Sequence, residues 1–331
     1  MTTIGTLFSG FGGADIGAQA AGLELAWGVE FDADIAAVAH ANLPHDIRVA
    51  NLLDCDPRTF DRVDVLHASP PCPNFSIAKA GGVETALDIA LADKVAEFVT
   101  VLQPRVFTLE NVWAYRGSRS WAIIQDALHG AGYWVNTEHV NSADMGVPQA
   151  RKRMIVRAIK GGFVPYMPEP VPWVGWYAAI EDLLPALPES AFAPWQINKL
   201  PIGANTLLVD GGNSSKDCIW RRADEPSLTV TTGGAKHPLR AFLLPGQDFT
   251  QSRQATGPSY TISATELKHA SRALLATGRV VSMTPRCLAR FQSFPDWYEL
   301  PDNNRLAAKG IGNAVPPLMM QRIYEGLEAM L

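Results

Sequence analysis

The first 160 residues alternate short apolar runs with helical stretches, and no other feature of the chain limits its fold so tightly. Strand character falls at Thr3–Phe8, Leu25–Glu30, Ile47–Ala50, Val63–Ala68, Val106–Glu110, Tyr133–His139 and Met154–Ile159. Helical stretches lie between them at Ala14–Ala21, Ala33–Asn42, Leu87–Leu102 and Trp121–Leu128. Strands that alternate with helices predict an α/β fold, a parallel sheet covered on both faces. Ligands of such sheets bind beyond the carboxyl ends of the strands, so residues at those ends are the functional candidates.

From about Gly161 the rhythm breaks. Pro165, Pro168, Pro170, Pro172, Pro185 and Pro188 interrupt regular structure. Residues 161–275 read as a smaller domain of loops and short strands, set between a first domain at 1–160 and a segment at 276–331 that returns to it. Helical character resumes after Thr284, with Pro285 placed where a helix starts, and a last helix is expected from near Pro317 to the C-terminus. The middle region holds an internal repeat: Arg221–Val230 matches Arg253–Ile262, with Pro258 lying 32 positions after Pro226. Lys236-His237 then aligns with Lys268-His269, and Arg240-Ala241 with Arg272-Ala273. Two copies do not make a solenoid. They are either a duplicated hairpin that packs well or two copies of a phosphate-gripping unit.

The formal net charge of −5 argues mildly against a nucleic-acid binder, but distribution matters more than the total. Acidic residues crowd the first half, whereas basic ones group at 151–157, 221–222, 236–240 and 268–272. That split suits a cofactor domain joined to a region that faces an anion. No apolar run reaches the ~18 residues that span a bilayer, and the N-terminus lacks the pattern of a signal peptide. Cys55, Cys72, Cys218 and Cys287 are scattered without CxxC spacing, so neither a zinc site nor a disulfide framework is expected.

Four constellations sit at expected strand ends. Phe8-Ser9-Gly10-Phe11-Gly12-Gly13 lies between the first strand and the first helix, where glycines admit a ligand close to the backbone. Glu30 closes the second strand, placed to accept hydrogen bonds from ribose hydroxyls. Together they indicate a nucleoside-type cofactor, with a dinucleotide and S-adenosylmethionine not distinguished by spacing. Ser69-Pro70-Pro71-Cys72-Pro73 holds a cysteine in a rigid loop, the setting of a nucleophile, although a buried cysteine or simple turn is the alternative. The tail Lys79-Ala80-Gly81-Gly82 suggests a loop able to close over a substrate. Glu110-Asn111-Val112 offers an acid beside it, or else a helix cap or a salt-bridge acid. Gln149-Ala150-Arg151-Lys152-Arg153 sends two guanidiniums to one face, either into solvent or onto a carbonyl or phosphate.

In this order the residues resemble the DNA cytosine-5 methyltransferase family. Phe8 to Gly12 resembles its cofactor motif and Pro71-Cys72 its nucleophile motif, while Glu110 to Val112 and Gln149 to Arg153 resemble its base-binding motifs. Thr284 to Asp296 and Gly312 to Pro317 are similar to its two late motifs. The likeness covers the chain except 161–275, where that family's target-recognition region varies. Three departures stand out: Pro73 where Gln is common, Cys287 where an acid is usual, and a variable region that is short for that family and carries the repeat.

The resemblance implies a Rossmann-like sheet that binds S-adenosylmethionine, no metal, and a smaller, mostly β and loop domain that recognises double-stranded DNA. Cys72 would attack C6 of a flipped-out cytosine. Glu110, protonated, would donate to N3, a role that calls for a raised carboxyl pKa, which burial could supply. Arg153 would hold the base O2 and Arg151 would support the cysteine loop. The family implies cofactor contacts from Phe8, Gly10, Gly12, Glu30, Phe31, Asp54, Pro71, Asn313 and Val315. Ser76, Asn111, Gln149, Lys236 and Lys268 complete the expected substrate-binding set, the two lysines gripping the DNA backbone through the repeat. A cytoplasmic monomer that meets the nucleoid through DNA is the expected form. The competing classes are an RNA methyltransferase, a non-catalytic binding protein and a mononucleotide pyrimidine methylase. The long middle region favours DNA, and the joint presence of Cys72, Glu110 and Arg153 favours an enzyme.

Overall fold

The computed structural model describes residues 1–71, 83–192, 206–209, 220–230, 240–243 and 279–331. Strands β1 (Thr3–Leu7), β2 (Glu24–Glu30), β3 (Asp46–Val49), β4 (Val65–Ala68), β5 (Val106–Asn111), β6 (Tyr133–Asn141) and β7 (Lys152–Lys160) form one sheet, ordered β3-β2-β1-β4-β5-β7-β6. Helices α1 (Gly13–Ala20), α2 (Ala33–Asn42), α3 (Ala86–Leu102) and α4 (Arg119–Gly130) alternate with them, and a short α5 (Trp176–Ile180) follows β7. The helix starts are written locally. Asp32 caps α2, Ser118 caps α4, and Thr85 with Asp88 forms a reciprocal capping box on α3.

The expectation of a parallel sheet needs one correction. β1 to β5 pair in parallel, but β7 runs antiparallel to both β5 and β6, so the sheet is mixed. The cause lies in residues 142–151, which join β6 to β7 through one 3₁₀ turn and hold no crossover helix. A parallel return needs a crossover of roughly a dozen residues or more, usually helical. Reversal brings the start of β7 to the edge where β1, β2, β4 and β5 end.

The two sheet faces are covered by different helices. On one, Leu66, Phe107, Leu109, Met154 and Val156 pack with Leu91, Val95 and Phe98 of α3 and Ile124 of α4. On the other, Ile4, Val65, Val106 and Ile155 pack with Ala14 and Ala18 of α1 and with Met319, Met320 and Ile323 of α8 (Pro317–Glu325). The C-terminal segment therefore completes the first domain's core. It also holds α6 (Pro285–Phe291) and α7 (Asn304–Asn313), separated by a loop around Tyr298. Cys287 is fully buried in α6, so the position that commonly carries an acid here carries a packed thiol. The final helix stops short of the C-terminus: α8 ends at Glu325 and a separate 3₁₀ turn spans Glu328–Met330. Gly326, a poor helix residue, follows α8 directly.

A second, antiparallel sheet is built from β8 (Leu207–Val209), β9 (Trp220–Arg222), β10 (Arg240–Leu243) and β11 (Arg279–Ser282), in the order β11-β10-β8-β9. Its Leu208, Ala241 and Val281 share a core with Phe11 and Ile35 of the first domain and Tyr298 of the C-terminal segment. The first repeat copy is used inside the molecule. Ser227 is fully buried and forms a parallel bridge with Gln149, and Thr229 Oγ1 donates to Ala150 O at 2.8 Å. The Thr229 hydroxyl and the Ser227 backbone, which bonds Pro148 O and Ala150 N, thus dock the middle region onto the segment that leads into Arg151, while the Ser227 hydroxyl donates to Leu228 O. Lys236, Lys268 and the second copy lie outside the described residues. No helix among the described residues is long and apolar enough to cross a membrane.

Candidate active site

The glycine-rich turn follows β1 and runs into α1. Gly10 has a left-handed φ of 57°, and a Cβ placed there would meet nothing within 4 Å, so its outer side is open. Gly13 is tight for the opposite reason: its Cβ would lie 2.0 Å from the Val315 carbonyl oxygen. Val315 is buried and supports the turn from beneath, whereas Asn313 is exposed at the end of α7. Phe8 also adopts a positive φ, 61°, a strained geometry for a bulky side chain.

Glu30, at the end of β2, accepts from Gly10 N and Asp32 N, both at 2.9 Å. Each carboxylate oxygen keeps a further lone pair for a donor. Phe31, the next residue, is 73% exposed, and Asp54 is exposed in the 3₁₀ turn after β3. An open glycine turn, an acid with spare acceptor capacity and an uncovered aromatic ring fit a nucleoside carrying both hydroxyls and a flat base. Lys309 of α7 pairs with Asp32 beside them at 2.5 Å and ties the late motif to this rim.

Two strands along, β4 ends at Ala68 and the chain turns through Ser69, Pro70 and an exposed Pro71. Cys72 and Ser76 lie outside the described residues, as does the rest of 72–82. The root of that loop is held from β5, because Asn111 Nδ2 donates to Pro70 O at 3.1 Å. Asn111 is 2% exposed, so its amide is directed at the loop rather than outward.

Glu110 and the arginines come together as alternation and the reversed β7 require. Glu110 pairs with Ile155 in register, and Arg153, two residues earlier, projects from the same face. Arg153 Nε lies 3.0 Å from Glu110 Oε1, and an Arg151 guanidinium nitrogen lies 3.7 Å from the same oxygen. Glu110 is only 6% exposed. Arg151 also donates to Gly312 O at 3.0 Å, and Gln149 Nε2 donates to Gln292 Oε1 at 2.6 Å. Gln149 is fully buried, so its amide joins the late motifs rather than opening to a substrate.

Comparison with known proteins decides what this assembly belongs to. The family model for C-5 cytosine-specific DNA methylase matches residues 2–329. The chain belongs to the C-5 cytosine-specific DNA methylase family. Type II methyltransferase M1.HphI of Haemophilus parahaemolyticus is 28% identical over 339 residues, 98% of this methylase and 86% of the relative. Type II methyltransferase M.NgoPII of Neisseria gonorrhoeae is 27% identical over 357 residues, covering 98% and 95% of the two chains. The methyltransferase EhMeth of Entamoeba histolytica shares the fold, with a TM-score of 0.69 at 14% identity over 99% of this chain and 98% of its own.

The motifs of the methylase were legible, but several of the side chains that hold them were not. His67, Thr108 and Ser69 form a polar chain behind the site, buried at His67 and Thr108 and half-buried at Ser69, and Gln292 is the partner of Gln149. Glu84 accepts from Ser120 N at 2.7 Å and from Arg119 N at 3.0 Å, fixing the exit of residues 72–82 to the start of α4. His67 had a signal in the sequence, a lone imidazole within an otherwise apolar strand. Ser69 and Gln292 lie inside motifs already named, but their partners, like those of Thr108 and Glu84, are distant in sequence and leave no local pattern. Among the described residues no group of His, Cys, Asp and Glu is arranged to hold a metal ion.

Proposed function

We propose that this DNA cytosine-5 methyltransferase transfers a methyl group from S-adenosylmethionine to C5 of a flipped-out cytosine, through a covalent bond between Cys72 Sγ and C6. The observation that carries this reading is the convergence at one sheet edge of Glu110, its two arginines and the loop root that leads into Cys72. S-adenosylmethionine, when bound, supplies the activated methyl group. The Gly10 turn, Glu30 and Phe31 would hold it, with Asp54 and Pro71 on the adjoining strand ends and Phe8, Gly12, Asn313 and Val315 shaping the turn.

Cytosine C5 is a poor nucleophile until a thiolate adds at C6. Addition moves an electron pair toward N3, where Glu110 donates a proton, and C5 becomes enamine-like. C5 then takes the methyl group, and the broken C–S bond leaves its electron pair on sulfur, as S-adenosylhomocysteine. Water takes the C5 proton, the freed electron pair rebuilds the C5–C6 double bond and expels Cys72 as thiolate, and N3 returns its proton to Glu110. Arg153, next to Glu110, would hold O2, while Arg151, tied to Gly312 O, keeps the pair in place. Because C6 is buried in a duplex, the base must leave the stack. Residues 161–275 would then recognise the target in double-stranded DNA, with the Type II names of the relatives supporting a restriction-modification role.

The test is incubation with methyl-labelled S-adenosylmethionine and, separately, duplex DNA, tRNA or dCMP. Label in duplex DNA, at C5 of cytosine, is the expected result. Label in tRNA or dCMP but not in DNA would overturn the substrate assignment.

A further inference from the structure

Behind the nucleophile loop runs a buried contact that the reaction above does not use. β4 is buried at all four positions, Val65, Leu66, His67 and Ala68, and only one of them is polar. His67 is 2% exposed and pairs in register with Thr6 on β1 and Thr108 on β5. Its Nδ1 lies 2.9 Å from Thr108 Oγ1 and its Nε2 lies 2.8 Å from Ser69 Oγ. Burial pushes the imidazole pKa down to about 3, so the ring is neutral at working pH. A neutral imidazole has one donor and one acceptor, and a hydroxyl can answer either, so both nitrogens are satisfied.

The two partners are not neutral choices of position. Thr108 stands two residues before Glu110 on the same strand, hence on the same face. Ser69 immediately precedes Pro70 and Pro71, whose rings fix φ, and Cys72 follows them in the sequence. An apolar residue would fill this place in β4 as Leu66 does. A buried imidazole is tolerated only because both of its nitrogens are bonded, and both bonds join β5 to the loop root.

We propose that His67 is a positioning residue for methyl transfer, setting the loop root Ser69–Pro71 against the strand that carries Glu110, through Ser69 on one side and Thr108 on the other. This rests on the reading of Cys72 and Glu110 given above. Misplacement of a reacting group by about 1 Å can cost on the order of 10²-fold in rate.

Three variants test it. In His67→Gln the amide reaches the place of Nε2 and can still meet Ser69. In His67→Asn it reaches only the place of Nδ1 and can meet Thr108 alone. Ser69→Ala removes the partner on a half-buried residue and leaves the strand intact. The readouts are single-turnover methyl transfer to saturating plasmid DNA, the Kd for S-adenosylmethionine, and the thermal midpoint. Ser69→Ala and His67→Asn are expected to slow transfer by roughly 10- to 100-fold with cofactor affinity unchanged, and His67→Gln to slow it less. The double variant Ser69→Ala/His67→Asn is expected to be no slower than the slower single. Wild-type transfer by Ser69→Ala would overturn the proposal, as would Gln and Asn variants slowed equally and in step with their thermal midpoints. Wild-type enzyme with no transfer to DNA, or Cys72→Ser with full transfer, would instead overturn the underlying reading.

Discussion

At the scale of single residues, Cys72 and Glu110 carry different parts of the chemistry and are separable by kinetics. Cys72→Ser is expected to abolish methylation while S-adenosylmethionine still binds, because the covalent bond is lost and the cofactor turn is untouched. Equilibrium binding and turnover measured on the same preparation check it, and more than a few percent of wild-type turnover would count against a covalent route. Glu110→Gln is expected to lower kcat by roughly 10²–10⁴-fold, the usual contribution of a positioned acid. His67 gives a pH prediction with a definite sign. Its pKa is about 3 in the folded protein against an ordinary value of 6.5. The unfolded chain therefore binds the extra proton first. The stability that depends on the neutral ring is complete above pH 6.5 and is lost as pH falls toward 3, at about 1.4 kcal/mol per unit. Urea unfolding at pH 7 and pH 4.5 is expected to show a smaller loss in His67→Gln than in wild type. An equal loss in both would contradict the assignment. Residue types at strand ends were readable in the sequence, but side-chain direction was not. Asn111 and Gln149 were expected to touch substrate, and both turn inward to hold backbone and late-motif partners.

At the scale of elements, the glycine-rich turn separates binding from packing. Gly13→Ala would press a Cβ against the Val315 carbonyl, where neither backbone can yield cheaply. Overpacking of this kind costs about 1–3 kcal/mol, so its main effect is expected in chemical unfolding. Gly10→Ala meets open space but must hold φ at 57°, and its methyl intrudes where the cofactor is proposed to approach. Its main effect is expected in the Kd for S-adenosylmethionine. If the two variants exchanged these effects, the described turn would be wrong. Every strand and helix expected before residue 160 is present, with ends within two residues, because apolar periodicity and caps are local. Strand direction is not local. Nothing within Lys152–Lys160 shows that it runs against its neighbours, and that reversal is what brings Arg153 to Glu110.

At the scale of the whole molecule, a catalytic sheet and a smaller antiparallel sheet share one core, and the C-terminal helices close the first domain. The composition shift near Gly161 and the motif order carry the expected boundary at about residue 161. The role of the repeat was not legible, because a Thr hydroxyl serves equally as a phosphate ligand and as an internal docking group, and Thr229 of the first copy docks on Ala150 O. The basic residues of the repeat remain the proposed grip on the DNA backbone. Lys236→Ala and Lys268→Ala are each expected to weaken binding to all sequences alike and to reduce the salt dependence by roughly one unit of slope. Slopes identical to wild type would assign the whole repeat to packing.

The covalent route itself can be trapped. Duplex DNA with 5-fluorocytosine in place of cytosine cannot release fluorine as it would the C5 proton, so the enzyme should stall while still bonded to C6. With S-adenosylmethionine present, wild-type protein is predicted to give a protein–DNA species that survives denaturation, with the added mass on Cys72, and Cys72→Ser to give none. Absence of that species from wild-type enzyme that methylates ordinary cytosine, or its attachment to any other residue, would contradict the mechanism.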